Sequence, residues 1–172
     1  TMEIIRSAIP NPPTVTGNQA VCYGESVTLN ATSSANNPSY VWWDAPAGGN
    51  ALAGGPTYTS PPLTGPLAVY AEVTDGTTQC PSTRTQYNVS LNPLPVIALG
   101  NDTTFCDSDS ICLDAGAGMT NYQWNNGATS RIVCTNLSGL YWVEVLDVNG
   151  CFGTDTIQLT AVTAPVVNLG PD

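Results

Sequence analysis

The sequence predicts an all-β protein made of tandem antiparallel β-sandwiches, and three observations carry that reading. Apolar residues alternate with a period of two in short runs, Val27, Leu29 and Ala31 being one and Ile111, Leu113 and Ala115 another. That spacing puts every second side chain on one face of a strand. The runs are separated by turn formers such as Asp75-Gly76, Asn126-Gly127 and Asn149-Gly150. No stretch keeps helical periodicity over three turns. The third observation is self-similarity along the chain.

Pro95-Val96-Ile97-Ala98-Leu99-Gly100-Asn101-Asp102 returns seventy residues later as Pro165-Val166-Val167-Asn168-Leu169-Gly170-Pro171-Asp172. Near the other end, Ile4 to Pro13 has the texture of Gln86 to Pro95. Residues 1–9 are therefore expected to be the last strand of a preceding repeat, and 164–172 a linker with the start of another. Two complete repeats, 10–93 and 94–163, are expected between them. Their strands correspond in order. Val27, Leu29 and Ala31 match Ile111, Leu113 and Ala115; Val69, Ala71 and Val73 match Tyr141, Val143 and Val145. The last strands hold Tyr87, Val89 and Leu91 in one repeat, and Ile157, Leu159 and Ala161 in the other. Short strands at regular spacing between Gly, Pro and Asn turns point to a sandwich in each repeat.

Composition limits the chemistry. The 172 residues include 3 Lys+Arg, all of them Arg, and 13 Asp+Glu, a formal charge of -10, with no His. Without His or Lys there is no Ser-His or Cys-His nucleophile, no Schiff-base lysine, no His-ligated zinc and no P-loop lysine. Three Arg cannot neutralise a run of phosphates, so nucleic acid is not an expected partner. No carboxylate pair flanks a recognisable glycosidase cleft motif, and a non-enzymatic role follows. Charged residues make up only 9% of a chain that is 42% hydrophobic, a balance that fits a folded protein and not an acidic disordered tail. No apolar run reaches the roughly 20 residues of a membrane span. Export signals are expected outside this window.

Tyr40-Val41-Trp42 and Tyr122-Gln123-Trp124 occupy equivalent places after the first inner strand. A Trp packed across the sheets is a recurrent device of immunoglobulin-like sandwiches, so Trp42 and Trp124 are expected in the core. The six cysteines lack the C-x2-C pairs of a zinc site, and an even count in a turn-rich chain reads as three disulfides made in an oxidising compartment. Cys22 and Cys106 both precede the first inner strand, while Cys80 and Cys151 both follow an acidic turn. The expected pairs are Cys22 with Cys80 and Cys106 with Cys151, closing most of each repeat into a loop. Cys112 and Cys134 remain, and both fall on outward positions of neighbouring strands.

Leu99-Gly100-Asn101-Asp102-Thr103-Thr104-Phe105-Cys106, Leu113-Asp114-Ala115-Gly116, Tyr122-Gln123-Trp124-Asn125-Asn126-Gly127, Gly139-Leu140-Tyr141-Trp142-Val143 and Asn149-Gly150-Cys151 together resemble a PKD-like repeat of giant Bacteroidota surface proteins. Val21-Cys22-Tyr23-Gly24-Glu25-Ser26-Val27-Thr28-Leu29 and Tyr40-Val41-Trp42-Trp43-Asp44-Ala45 resemble the related Ig-like module of those proteins. The extra Cys112 and Cys134 depart from the usual repeat. The resemblance, to SprB-like gliding adhesins exported by type IX secretion, implies a secreted, extracellular stalk or adhesin filament on a bacterial surface. Its implied partners are neighbouring repeats of the same chain, other filament chains or surface polysaccharide. Pro10-Asn11-Pro12-Pro13, Asn92-Pro93-Leu94-Pro95 and Ala164-Pro165 suit stiff, extended joints.

Two other roles compete. Trp43, Tyr70 and Trp142 are predicted to face outward and offer aromatic platforms for sugars or partners. Residues 1–9, with Ile4, Ile5 and Ile9, could instead complete another chain's sheet, making a strand-exchanged polymeric fibre. No cofactor is expected. Asp102, Asp107, Asp109 and the acidic turns could bring Ca2+ to a joint, although their spacing does not match an EF-hand loop and Asp beside Gly and Asn ordinarily serves turns. Asn30, Asn88, Asn101 and Asn136 head Asn-x-Ser/Thr triplets, acceptors only in a host that adds glycans.

Overall fold

A computed structural model describes residues 8–163. The strand expected over residues 1–9 falls, apart from its last two residues, outside the described residues, as does the repeat start expected over 164–172. Among the described residues there are fourteen β-strands and no helix. The chain divides into two compact units, the first closing at Asn92 and the second opening at Pro93.

The first unit contains β1 (Thr14–Thr16), β2 (Ala20–Cys22), β3 (Thr28–Thr32), β4 (Ser39–Trp43), β5 (Ala51–Gly54), β6 (Thr57–Thr59), β7 (Leu67–Thr74) and β8 (Thr85–Asn92). One sheet runs β1-β3-β6 and the other β2-β8-β7-β4-β5. Alternation decides which side chains meet between them. Leu29 and Ala31 point in from β3, Trp42 from β4, Val69, Ala71 and Val73 from β7, and Val89 from β8. Trp42 is fully buried, stacks on Tyr58 at 5.6 Å between ring centroids, and donates its Nε1–H to the Gly55 carbonyl at 3.0 Å. The one polar atom of the large ring is thereby satisfied, as is usual for a buried indole.

The second unit contains β9 (Thr103–Cys106), β10 (Ile111–Asp114), β11 (Asn121–Trp124), β12 (Ile132–Thr135), β13 (Gly139–Leu146) and β14 (Phe152–Val162). Its sheets are β10-β12 and β11-β13-β14-β9. The core repeats the plan of the first: Leu113, Ala115, Trp124, Val133, Tyr141, Val143, Val145, Ile157 and Leu159 are buried together. Trp124 donates Nε1–H to the Ser130 carbonyl at 2.8 Å.

Both units depart from a fully antiparallel sandwich at one edge. β2 runs parallel to β8, with Cys22 opposite Asn92, and β9 runs parallel to β14, with Cys106 opposite Val162. The chain therefore comes into each unit at one pole and leaves at the other. In the first unit Thr85 Oγ1, at the start of β8, donates to the Pro13 carbonyl at 2.6 Å, and the strand then runs to Asn92. In the second, Leu99 N donates to Asp155 Oδ2 at 2.7 Å near the start of β14. The carbonyl of Pro95 lies so close to Gly153 that a Cβ there would stand 2.5 Å from it, so only glycine fits.

The same topology corrects two disulfides. Cys80 and Cys106 carry free thiols, so neither Cys22–Cys80 nor Cys106–Cys151 is formed. Cys22 sits at the Asn92 end of β8 and Cys80 precedes Thr85 at its other end. Eight residues of strand separate them, roughly 25 Å at about 3.3 Å per residue. Cys106 and Cys151 stand at opposite ends of the 11-residue β14. A disulfide spans only about 4.4–6.8 Å between Cα atoms. Cys112 and Cys134 are directly opposite on β10 and β12, with Leu113 and Val133 beside them turned inward, and they are bonded on the outer face. Cys22 and Cys151 are also disulfide-bonded.

Candidate functional site

The outer face of the five-stranded sheet brings together two of the three aromatics predicted to face outward. Trp43 on β4 and Tyr70 on β7 are direct cross-strand neighbours. Strand alternation sends the consecutive tryptophans to opposite faces, Trp42 into the core and Trp43 outside it. Trp43 is not an open platform, however. The Arg84 guanidinium lies over its ring at 4.0 Å from the centroid, and the indole Nε1 is buried without a hydrogen-bond partner. Both Trp43 and Tyr70 are half-buried.

Arg84 organises this face. Its Nε donates to Glu72 Oε2 at 3.2 Å, and its Nη1 donates to the carbonyls of Ala45 and Gly48 at 2.6 and 2.8 Å. The loop it holds is closed on itself by Asp44, which accepts from Asn50 N and Nδ2. Those bonds, the Asn50 side chain first, hold the Asp44 carboxyl below the usual carboxylate range. A cation over an indole, paired with a carboxylate and two carbonyls, is a well-satisfied clamp. The sequence offers a faint signal for it, since Arg84 is one of only three cations in the chain.

Trp142 belongs to the other unit and is 40% exposed. On β13 it pairs with Thr156 of β14, and it lines a cleft of about 280 Å3 with Thr154, Asp155 and Thr156. An indole face beside hydroxyls and a carboxylate can stack on an apolar sugar face and hydrogen-bond to its rim.

Asp75 and Asp147 serve turns. Asp75 is buried, and it accepts from Asn36 N at 2.8 Å, Asn36 Nδ2 at 3.3 Å, and Thr77 N and Thr78 N at 2.9 Å each. These donors, the Asn36 N–H first, outweigh burial and lower its pKa. Asp147 accepts from Cys151 N and Asn149 N at 2.8 Å each, and the Cys151 N–H leads in lowering its pKa. Asp102 Oδ1 accepts from Gln158 N at 2.9 Å, while Asp107 and Asp109 are exposed. Among the described residues no three His, Cys, Asp or Glu side chains cluster so as to hold a metal ion. Nor is any described helix long and apolar enough to cross a membrane.

Each unit is thus an all-β sandwich closed over its own Trp-centred core, in a chain that carries disulfides. Residues 10–93 match the family described as Ig-like domain, CHU_C associated, a match that takes in nearly all of the first unit. No curated protein sequence matches the chain. Among solved structures, the three N-terminal domains of the highly immunogenic outer capsid protein of bacteriophage RB49 are similar at a TM-score of 0.44 and 13% identity, over 90% of this chain and 59% of that one. The fibronectin(III)-like modules of Clostridium thermocellum CbhA are similar at 0.41 and 11%, over 92% and 100%. The two Ig domains of DIP-gamma are similar at 0.38 and 11%, over 87% and 97%.

Proposed function

We propose that this chain is a non-enzymatic, tension-carrying repeat segment of a long secreted adhesin or filament on a bacterial cell surface, of the kind used in gliding motility and surface attachment. The single observation that supports it most is the course of the chain through each unit. Both units take the chain in at one pole and release it at the other, beside a parallel strand pair, β2 with β8 in the first and β9 with β14 in the second. Domains of that kind add end to end, and a pull on the two ends shears the parallel ladder on the last strand, loading its hydrogen bonds together. A hinged hairpin would open one bond at a time. The match of residues 10–93 to a CHU_C-associated Ig-like domain agrees with a modular surface protein, and stable disulfides agree with an oxidising location. Electron microscopy of the full-length source protein, with antibodies to residues 10–163 on intact cells, tests the reading. Thin fibres labelled at the surface, and weakened attachment on deletion of the gene, are the expected result. Label confined to the cell interior overturns it.

A carbohydrate-binding module is the second reading, favoured by the exposed Trp142 over its cleft. On that reading Trp142→Ala abolishes retention on a surface-polysaccharide column and leaves the melting curve of the second unit within about 0.5 kcal/mol, the usual range for surface substitutions. Unchanged retention removes it.

A further inference from the structure

The two free cysteines occupy places whose counterparts in the other unit are bonded. Cys106 ends the first strand of the large sheet in its unit, parallel to the last strand, as Cys22 does in the other. The hydrogen bonds around them repeat. The residue after each cysteine donates to the last strand, Asp107 N to the Val162 carbonyl at 3.0 Å and Tyr23 N to the Asn92 carbonyl at 2.9 Å. The third residue donates back to the cysteine carbonyl, Asp109 to Cys106 at 2.9 Å and Glu25 to Cys22 at 3.0 Å. Cys80 and Cys151 are matched in the same way: each carbonyl accepts from the N–H of the turn aspartate, Asp75 at 3.1 Å and Asp147 at 3.0 Å.

Cys22 and Cys151 are both in disulfides, whereas Cys80 and Cys106 are free. Each unit therefore holds one bonded and one free member of the same structural pair. Within a unit the two are at opposite poles, too far apart to join. A position that forms a disulfide in one unit and carries a thiol in its twin lacks only a partner. The free members are also suitably placed. Cys80 lies in the turn at the pole where the chain comes into its unit, next to the groove lined by Ile9, Pro10, Asn11, Asn36, Asp75 and Thr78. Its Sγ is 3.6 Å from the Thr78 carbonyl and it is partly exposed. Cys106 is exposed at the pole where the chain leaves its own unit.

We propose that Cys80 and Cys106 are the two halves of a repeat-to-repeat disulfide. The Sγ of Cys106 at the distal pole of one segment bonds to the Sγ of Cys80 at the proximal pole of the next segment of the same kind. The partner's identity rests on the tandem-repeat reading above. Two thiols give up two protons and two electrons to a low-molecular-weight disulfide such as oxidised glutathione, which leaves as two thiols, the exchange passing through a mixed disulfide. A head-to-tail link of this type does not close on itself, so it propagates along a line. In a tandem chain the two sulfurs are held near one another by a short joint, at effective concentrations in the millimolar range.

The test uses the whole 172-residue chain, with a second copy as the partner. Two variants, Cys80→Ser and Cys106→Ser, each keep one free thiol. They are mixed in equal amounts in a glutathione redox buffer and analysed by non-reducing electrophoresis and peptide mass mapping. The expected product is the heterodimer linked Cys106 to Cys80, exceeding both homodimers together by about tenfold, the ratio a modest docking preference produces. The unsubstituted chain gives a ladder of longer species that collapses on reduction. A heterodimer no more abundant than the homodimers, or thiols that stay free while a maleimide still labels them, overturns the proposal. The measurement is made on the isolated chain and is indifferent to where the protein works. A specific Cys106–Cys80 bond in a protein absent from the cell surface would therefore sink the filament reading alone.

Discussion

Single residues in this chain repay attention where a polar group sits against the sandwich. Arg84 covers the Trp43 ring and satisfies Glu72 and two loop carbonyls at once. Arg84→Ala is expected to lower the stability of the first unit by about 1.5–3 kcal/mol, the range for hydrogen bonds to charged groups. Differential scanning calorimetry, with a red shift in tryptophan emission as Trp43 meets water, checks it. The turn aspartates supply a pH dependence. Asp75 and Asp147 have depressed pKa values in the folded state, so their contribution is complete above the unfolded carboxylate range of about 4 and fades as pH falls through the folded values. Thermal melts from pH 7 to pH 2 should show stability dropping below about pH 4, with a shallower drop in a variant carrying Asp75→Asn and Asp147→Asn. The two core tryptophans could be read from the sequence because their spacing after an alternating strand is enough to place them. The shielding of Trp43 could not: the arginine that covers it is forty-one residues away, and only the folded sheet brings β4 and the start of β8 together.

At the scale of the strand, the alternation of apolar residues reports which face a side chain takes and is blind to which end of the sheet it occupies. Parity therefore put Cys112 and Cys134 on one outer face, where register makes them opposite neighbours. The same kind of reading paired Cys22 with Cys80 because both recur in the repeat. Recurrence establishes equivalence between units and carries no information on distance within one. The parallel edge strands, absent from an antiparallel expectation, set those cysteines a full strand apart. The Cys112–Cys134 bridge has a sequence separation of 22. Replacing both by serine should destabilise the second unit by about 3 kcal/mol on the chain-entropy model. The first unit should melt as before, a contrast that chemical denaturation followed by hydrogen exchange of each unit resolves.

For the whole molecule, the two units share one plan, with a large sheet whose edge strand lies parallel to the last strand. Pulled by its ends, each unit should resist until that ladder gives way and then extend in one step. Tyr23→Pro removes the donor that bonds the Asn92 carbonyl. It is expected to cost about 1 kcal/mol at equilibrium and to lower the unfolding force of the first unit alone in single-molecule stretching, leaving the second peak unchanged. Equal loss in both peaks would show that force does not run through this ladder.

The last strand of each unit lies inside its large sheet: β8 stands between β2 and β7, and β14 between β13 and β9. A chain emerging from its amino end thus has every strand of a unit in hand except the one that two others must flank. Until Asn92 or Val162 is out, β2 or β9 has no neighbour to join, and the sheet has a gap where its keystone belongs. Each unit completes its large sheet only when its final strand is free to enter it, so consecutive units along the chain close one after another, each in its turn.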